Sequence, residues 1–192
     1  MGRAQLRNMV NRFFELPIAR FLVFLHISPN TITFTGLILA VLVAYLLSQG
    51  CFVLGGLVLL FAGLLDMLDG SVARLSNTAS KKGAFLDSTS DRIAEAVVLF
   101  GLLFYYVDLG ESQVIFLIFL VMILSYLVSY MRARAEGLGV EGTTGLFTRP
   151  ERVLTLVLGL LSGWVIAALW VIASLSTLTV AQRLIYNLRQ MR

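Results

Sequence analysis

The chain has 192 residues, 58% of them hydrophobic and only 14% charged, and a formal net charge of +4. Its mean hydropathy is +0.89. Soluble domains carry about 25% charged residues, and intrinsic disorder needs low hydrophobicity with high charge. Both are excluded, as is a disulfide-stapled module, because Cys51 is the sole cysteine. What remains is an integral membrane protein. At about 20 apolar residues per span, the length holds about six helices and no separate soluble domain. The apolar runs are long and continuous rather than alternating in polarity, so the chain is all-α and not a transmembrane barrel. A single membrane domain over 1–192 is expected.

Residues 1–26 mix Arg3, Arg7 and Arg12 with Leu6, Met9, Val10, Phe13 and Phe14 at helical spacing. This predicts an amphipathic helix lying in the membrane interface. Ser28-Pro29-Asn30 marks a turn. Six apolar segments follow, near 31–49, 51–74, 84–107, 112–135, 149–162 and 164–188, the last two separated only by Ser162-Gly163. The short link between the second and third segments predicts antiparallel neighbours. Cys51 opens an apolar run and is expected to be inert, and His26, with no partner at metal-ligand spacing, is expected to be an interfacial residue rather than a ligand. Tyr105, Tyr106 and Trp164 fall where an outer aromatic belt would lie.

The basic residues set the orientation. All 15 fall before the first span, around the second and fourth connections, or at the carboxyl end. The connections near Gln49-Gly50, Asp108–Glu111 and Ser162-Gly163 contain none. Positive charge marks the cytoplasmic side. Both termini and the second and fourth loops are therefore expected in the cytoplasm, in a multi-pass protein of the cytoplasmic membrane. Membrane lipids are expected partners, and no nucleic acid is.

Four of the 11 acidic residues form two tight pairs inside apolar segments, Asp66 with Asp69 and Asp87 with Asp91. Each costs several kcal/mol in a span unless paired, hydrated or metal-bound. At about 100° per residue, the members of the pairs lie about 60° and about 40° apart, each pair on one helix face. Four carboxylates near the cytoplasmic ends can converge on one point, an all-oxygen environment suited to a hard divalent cation such as Mg²⁺. Salt bridges to Arg74, Lys81, Lys82 or Arg92 are the alternative way to satisfy them. Gly70, Ala73 and Gly83 are small and would let a bulky ligand approach the backbone. Arg74 is placed to meet a phosphate or a carboxylate.

These residues spell Asp66-x2-Asp69-Gly70-x2-Ala73-Arg74-x8-Gly83-x3-Asp87-x3-Asp91, eight fixed positions in 26 residues. The pattern resembles the signature of the CDP-alcohol phosphatidyltransferase family without a departure. The resemblance implies a six-helix membrane enzyme, working as a homodimer, that transfers a phosphatidyl group from a CDP-linked lipid to an alcohol and releases CMP. It implies metal ligation by Asp66, Asp69, Asp87 and Asp91, with two Mg²⁺ or Mn²⁺ ions. It gives Asp91 the further role of general base. It assigns Asp66, Asp69, Gly70, Ala73, Arg74 and Gly83 to the CDP-lipid.

The signature does not name the acceptor. Arg132 and Arg134 end the fourth segment, Arg149 and Arg152 open the fifth, and Arg183 lies near the end of the sixth. Such clusters serve topology and anionic headgroups, but arginines within helix ends also suit a phosphate monoester. SYMRARAEGLG, RPERV and QRL are similar to the phosphatidylinositol phosphate synthase branch and to its archaeal ether-lipid counterpart. That likeness implies inositol 1-phosphate as acceptor, CDP-diacylglycerol as donor, and Arg132, Arg152 and Arg183 as the acceptor-phosphate site. By the same likeness, position 132 is often Lys, so Arg132 keeps the charge but alters the geometry. Sister enzymes use glycerol 3-phosphate or a neutral alcohol.

Overall fold

A computed structural model describes residues 15–140 and 145–191. Those residues form seven α-helices and no strand. They are α1 (Leu16–Phe24), α2 (Pro29–Ser48), α3 (Phe52–Leu75), α4 (Lys81–Asp108), α5 (Ser112–Gly137), α6 (Arg149–Ser162) and α7 (Val165–Gln190). Helices α2, α3, α5 and α7 are long and apolar enough to cross a membrane. Helix α4 has 28 residues but carries six charged residues between Lys81 and Glu95. Helix α6 has 14 residues, about 21 Å of rise against a hydrocarbon core of about 30 Å. Most of the amphipathic helix expected over 1–26 lies outside the described residues; the part inside them is α1.

Local chemistry stops and starts these helices where the site needs them. Helix α1 ends with His26 in the left-handed conformation, φ 57°. The Ile27 amide then donates to Leu22 O at 3.0 Å and the His26 amide to Val23 O at 2.9 Å, a Schellman closure. His26 thus serves the backbone. Ser28 caps α2 by accepting from the Thr31 amide at 3.2 Å, with Pro29 in the first turn. Helix α3 closes the same way as α1. Asn77 has φ 55°, and the Thr78 amide donates to Ala73 O at 3.0 Å. Ser80 then caps α4 by accepting from Gly83 N at 3.1 Å. Both ends of the link between the two aspartate helices are therefore pinned. Gly163, left-handed at φ 78°, separates α6 from α7.

The helices pack as a closed ring. Helix α2 lies against α4 and α3, α3 against α6, α6 against α7, α7 against α5, and α5 against α4; α1 lies against α3. The aspartate helices α3 and α4 are not the packed neighbours expected from their short link. Helix α2 packs on both instead, and the carboxylates of α3 and α4 meet only near the linked ends. Four carboxylates repel and need room between the helices, which a close-packed seam would deny.

The α2–α4 contact depends on Gly101, where a Cβ would fall 2.4 Å from Ala44 O. Tyr106, expected in an outer belt, is buried in the core. Tyr105 stacks edge-on against it and against Phe52, with centroids 5.2 and 4.8 Å apart. Trp164 is exposed as a belt residue would be.

Candidate active site

The site lies at the α3–α4 link, at one end of a cavity of about 310 Å³ in the centre of the ring. Thr33, Asp66, Asp91, Glu95, Arg149 and Arg152 form its polar end. Apart from Ser90 the rest is apolar, with Leu59, Val121, Leu156 and Ile172 drawn from α3, α5, α6 and α7.

Asp66, Asp69 and Asp87 bring one carboxylate oxygen each to within 4.8 Å of one another. Asp69 is buried, 8% exposed. Its Oδ1 accepts from the Gly70 amide at 2.5 Å and its Oδ2 from the Thr33 hydroxyl of α2 at 3.2 Å. Three converging carboxylates with no apolar group among them form a donor set that fits a hard divalent cation. The fourth aspartate is held differently. Arg149 Nη1 donates to Asp66 Oδ2 at 2.6 Å and lies 2.9 Å from Asp91 Oδ1. The cation that meets the aspartates thus comes from α6, not from their sequence neighbours. Arg74 donates to Ser71 Oγ at 2.9 Å, and Arg92 to the Ser88 carbonyl.

The small residues leave space beside the aspartates. A Cβ at Gly70 would meet nothing closer than Arg74 Nη1 at 3.6 Å. Ala73 is half-buried and Arg74 exposed on the same turn. Ser71 links this turn to α1, since its hydroxyl donates to Glu15 Oε2 at 3.1 Å.

The acceptor arginines expected from sequence fall into three situations. Arg132 is 52% exposed in its side chain and pairs along its own helix with Glu136 at 2.8 Å. Arg152 is 2% exposed and grips Glu95 with two bonds, Nε to Oε1 at 2.7 Å and Nη2 to Oε2 at 2.8 Å. Arg183 is 3% exposed and donates to the Val128 carbonyl of α5. Arg132, Arg152 and Glu136 each act electrostatically on Arg183. Helix α6 delivers both Arg149 and Arg152 because its first turn is locked by a capping box. Glu151 Oε2 accepts from the Thr148 amide at 2.9 Å and from its hydroxyl at 2.5 Å.

Sequence reasoning missed Arg149 as partner of the aspartates, Thr33, and Glu95. Glu95 had a legible signal: it follows Asp91 by four residues in an otherwise apolar stretch, extending the acidic face by one turn.

Comparison with known proteins decides the family. The sequence model described as CDP-alcohol phosphatidyltransferase matches residues 26–182, which include the four aspartates, Arg149 and Arg152 and end one residue short of Arg183. The chain belongs to the CDP-alcohol phosphatidyltransferase family. It is an all-helical transferase of that family, with helices apolar enough for a membrane.

Among its relatives, an archaetidylinositol phosphate synthase of Methanothermobacter thermautotrophicus is 34% identical over 95% of this chain and 92% of that one. A phosphatidylinositol phosphate synthase of Mycobacteroides abscessus is 35% identical over 88% and 80%. The phosphatidylinositol phosphate synthase of Mycobacterium tuberculosis has been solved in several states. With CDP-DAG bound it superposes with a TM-score of 0.81 at 31% identity, covering 89% of this chain and 92% of that one. With manganese and citrate the TM-score is 0.82 at 31% identity, covering 91% and 88%.

Proposed function

We propose that this protein transfers the phosphatidyl group of CDP-diacylglycerol to inositol 1-phosphate, giving phosphatidylinositol phosphate and CMP. The observation that carries the reading is the pairing of two distinct sites in one ring. An all-carboxylate cluster of Asp66, Asp69 and Asp87 adjoins a cavity that Arg152 also lines, and both Arg152 and Arg183 are buried. The names of the relatives point the same way.

Asp66, Asp69, Asp87 and Asp91 would hold one or two Mg²⁺ or Mn²⁺ ions. When bound, such ions neutralise the donor's diphosphate and stabilise charge on the attacking and leaving oxygens. The chain's own residues do the rest. The acceptor hydroxyl attacks the lipid-side phosphorus, a new P–O bond forms, and the bond to the CMP phosphate oxygen breaks. Asp91 receives the hydroxyl proton as general base. Arg149 holds Asp91 by one oxygen, which orients the carboxylate toward the acceptor. Gly70, Ala73 and Gly83 admit the cytidine diphosphate to the backbone, and Arg74 contacts its phosphates. The acceptor's phosphate needs a basic pocket apart from the carboxylates. Arg183 and Arg152 form it, with Arg132 at its exposed edge.

In this reading the chain is a single membrane domain. All six helices α2–α7 cross the membrane, α4 and α6 presenting apolar side chains such as Phe104 and Leu158 to the lipid, and α1 lies along the interface. Both termini and the site face the cytoplasm of the cell membrane, and the enzyme works as a homodimer. The archaetidylinositol relative supports the same acceptor with an ether-linked donor as the second reading.

The test is release of CMP from CDP-diacylglycerol by purified protein. Release should require both inositol 1-phosphate and Mg²⁺ or Mn²⁺, and stop with chelator. CMP release that is indifferent to inositol 1-phosphate would refute the acceptor; release indifferent to chelator would refute the metal site.

A further inference from the structure

We propose that Glu95 is a positioning residue that orients Arg152 toward the phosphate of the acceptor. The inference rests on the acceptor reading above and adds to it a residue from a different helix.

Glu95 sits on α4 four residues beyond Asp91, so it shares a face with the motif aspartates. Both Glu95 and Arg152 line the polar end of the central cavity. The two oxygens of Glu95 take the Nε and Nη2 edge of the guanidinium, at 2.7 and 2.8 Å. A guanidinium is planar and rigid, so a two-point grip on one edge fixes the direction of the whole group. The remaining nitrogen, Nη1, is buried and has no hydrogen-bond partner among the described residues. Leaving a donor of a charged group dry and unpaired is costly. A pair that served packing alone would be expected to satisfy that nitrogen from a neighbouring carbonyl or hydroxyl.

The open nitrogen therefore belongs to a group held ready for an acceptor that arrives later. A phosphate monoester supplies such oxygens, and Arg183, within electrostatic reach of Arg152, offers the second cation that a dianion needs. Glu95 also cancels the resting charge of Arg152. The pocket then favours a ligand that matches the free edge over any diffuse anion, such as a lipid headgroup.

The experiment is a double-mutant cycle of Glu95→Gln and Arg152→Gln in the full-length enzyme, with Michaelis constants measured separately for inositol 1-phosphate and CDP-diacylglycerol. Glu95→Gln is expected to raise the acceptor constant about tenfold, the loss of one charge-assisted contact, while the donor constant moves less than about twofold. Combined with Arg152→Gln it should add nothing, because Glu95 acts through Arg152.

Equal shifts in both constants, no shift in either, or multiplicative effects in the double variant would overturn the proposal. If Glu95→Gln does not purify as folded protein, Glu95→Asp carries the test. Its shorter reach should raise the acceptor constant by about threefold or more at an unchanged donor constant, and equal shifts would again refute it. A wild-type enzyme that ignores inositol 1-phosphate would instead defeat the acceptor reading itself, a result visible before any variant is made.

Discussion

Asp66 and Asp91, on different helices, share one nitrogen of Arg149: Nη1 lies 2.6 Å from Asp66 Oδ2 and 2.9 Å from Asp91 Oδ1. A fixed positive charge from α6 thus ties α3 to α4 at the place where like charges would drive them apart. Arg149→Gln should therefore lower stability most when metal is absent. The expected loss is roughly 1.5–3 kcal/mol, the usual worth of a hydrogen bond to a charged group. Thermal unfolding in detergent should show a larger drop for the variant in chelator than in Mg²⁺. An equal drop in both conditions would mean that Arg149 does not balance the aspartates.

The carboxylates divide by role. Asp66→Asn, Asp69→Asn and Asp87→Asn should each weaken Mn²⁺ binding, read by electron paramagnetic resonance, along with activity. Asp91→Asn should abolish turnover through loss of the base, while binding of CDP-diacylglycerol largely survives. An active Asp91→Asn enzyme would remove Asp91 from the chemistry.

The acceptor arginines should rank by burial. Arg152→Ala and Arg183→Ala should raise the acceptor's Michaelis constant roughly ten- to a hundredfold and leave the donor's nearly unchanged. Arg132→Ala should act in the same direction but less, because Arg132 is exposed and already engaged by Glu136. Steady-state kinetics with each substrate varied in turn decides this ranking.

Much of the architecture was legible because membrane helices announce themselves. Six apolar runs, the Ser28-Pro29 start and the Ser162-Gly163 break all coincide with helix boundaries. Spacing within one helix put Asp66 beside Asp69, which the cluster with Asp87 retains, whereas Asp91 is held by Arg149. It says nothing about which helix faces which, since in lipid nearly every side of a helix is apolar. That is why α2 was not foreseen between α3 and α4, and why Arg149 was not foreseen as the partner of Asp66. The Glu95–Arg152 grip joins residues 57 positions apart, and only the ring brings them together. Tyr106 shows the same limit: an aromatic near a span's end reads as a belt residue whether it faces lipid or core.

Gly101 gives a test of the ring that is independent of chemistry. A methyl group there would collide with the backbone of Ala44, so α2 and α4 would have to separate. Gly101→Ala should cost about 1–3 kcal/mol, seen as a lower unfolding temperature. Gly110→Ala meets no atom within 4 Å and strains only its own backbone, φ 72°, so it should leave the α2–α4 packing, and with it metal binding, intact.

Orientation can be read from cysteine labelling. The native Cys51 is exposed beside a connection with no basic residue, and should react with an impermeant maleimide from outside the cell. A cysteine at Ala79, in a Cys51→Ser background, should react only after the membrane is opened. The reverse pattern would invert the topology.

The most direct measurement is an acceptor panel. Radiolabelled CDP-diacylglycerol is offered with inositol 1-phosphate, glycerol 3-phosphate, free inositol or serine, and the lipid product is identified by mass. Phosphatidylinositol phosphate formed in large preference to the others is the predicted result. Preference for free inositol, serine or another unphosphorylated alcohol would contradict the account and return Arg152 and Arg183 to topology and headgroup contacts.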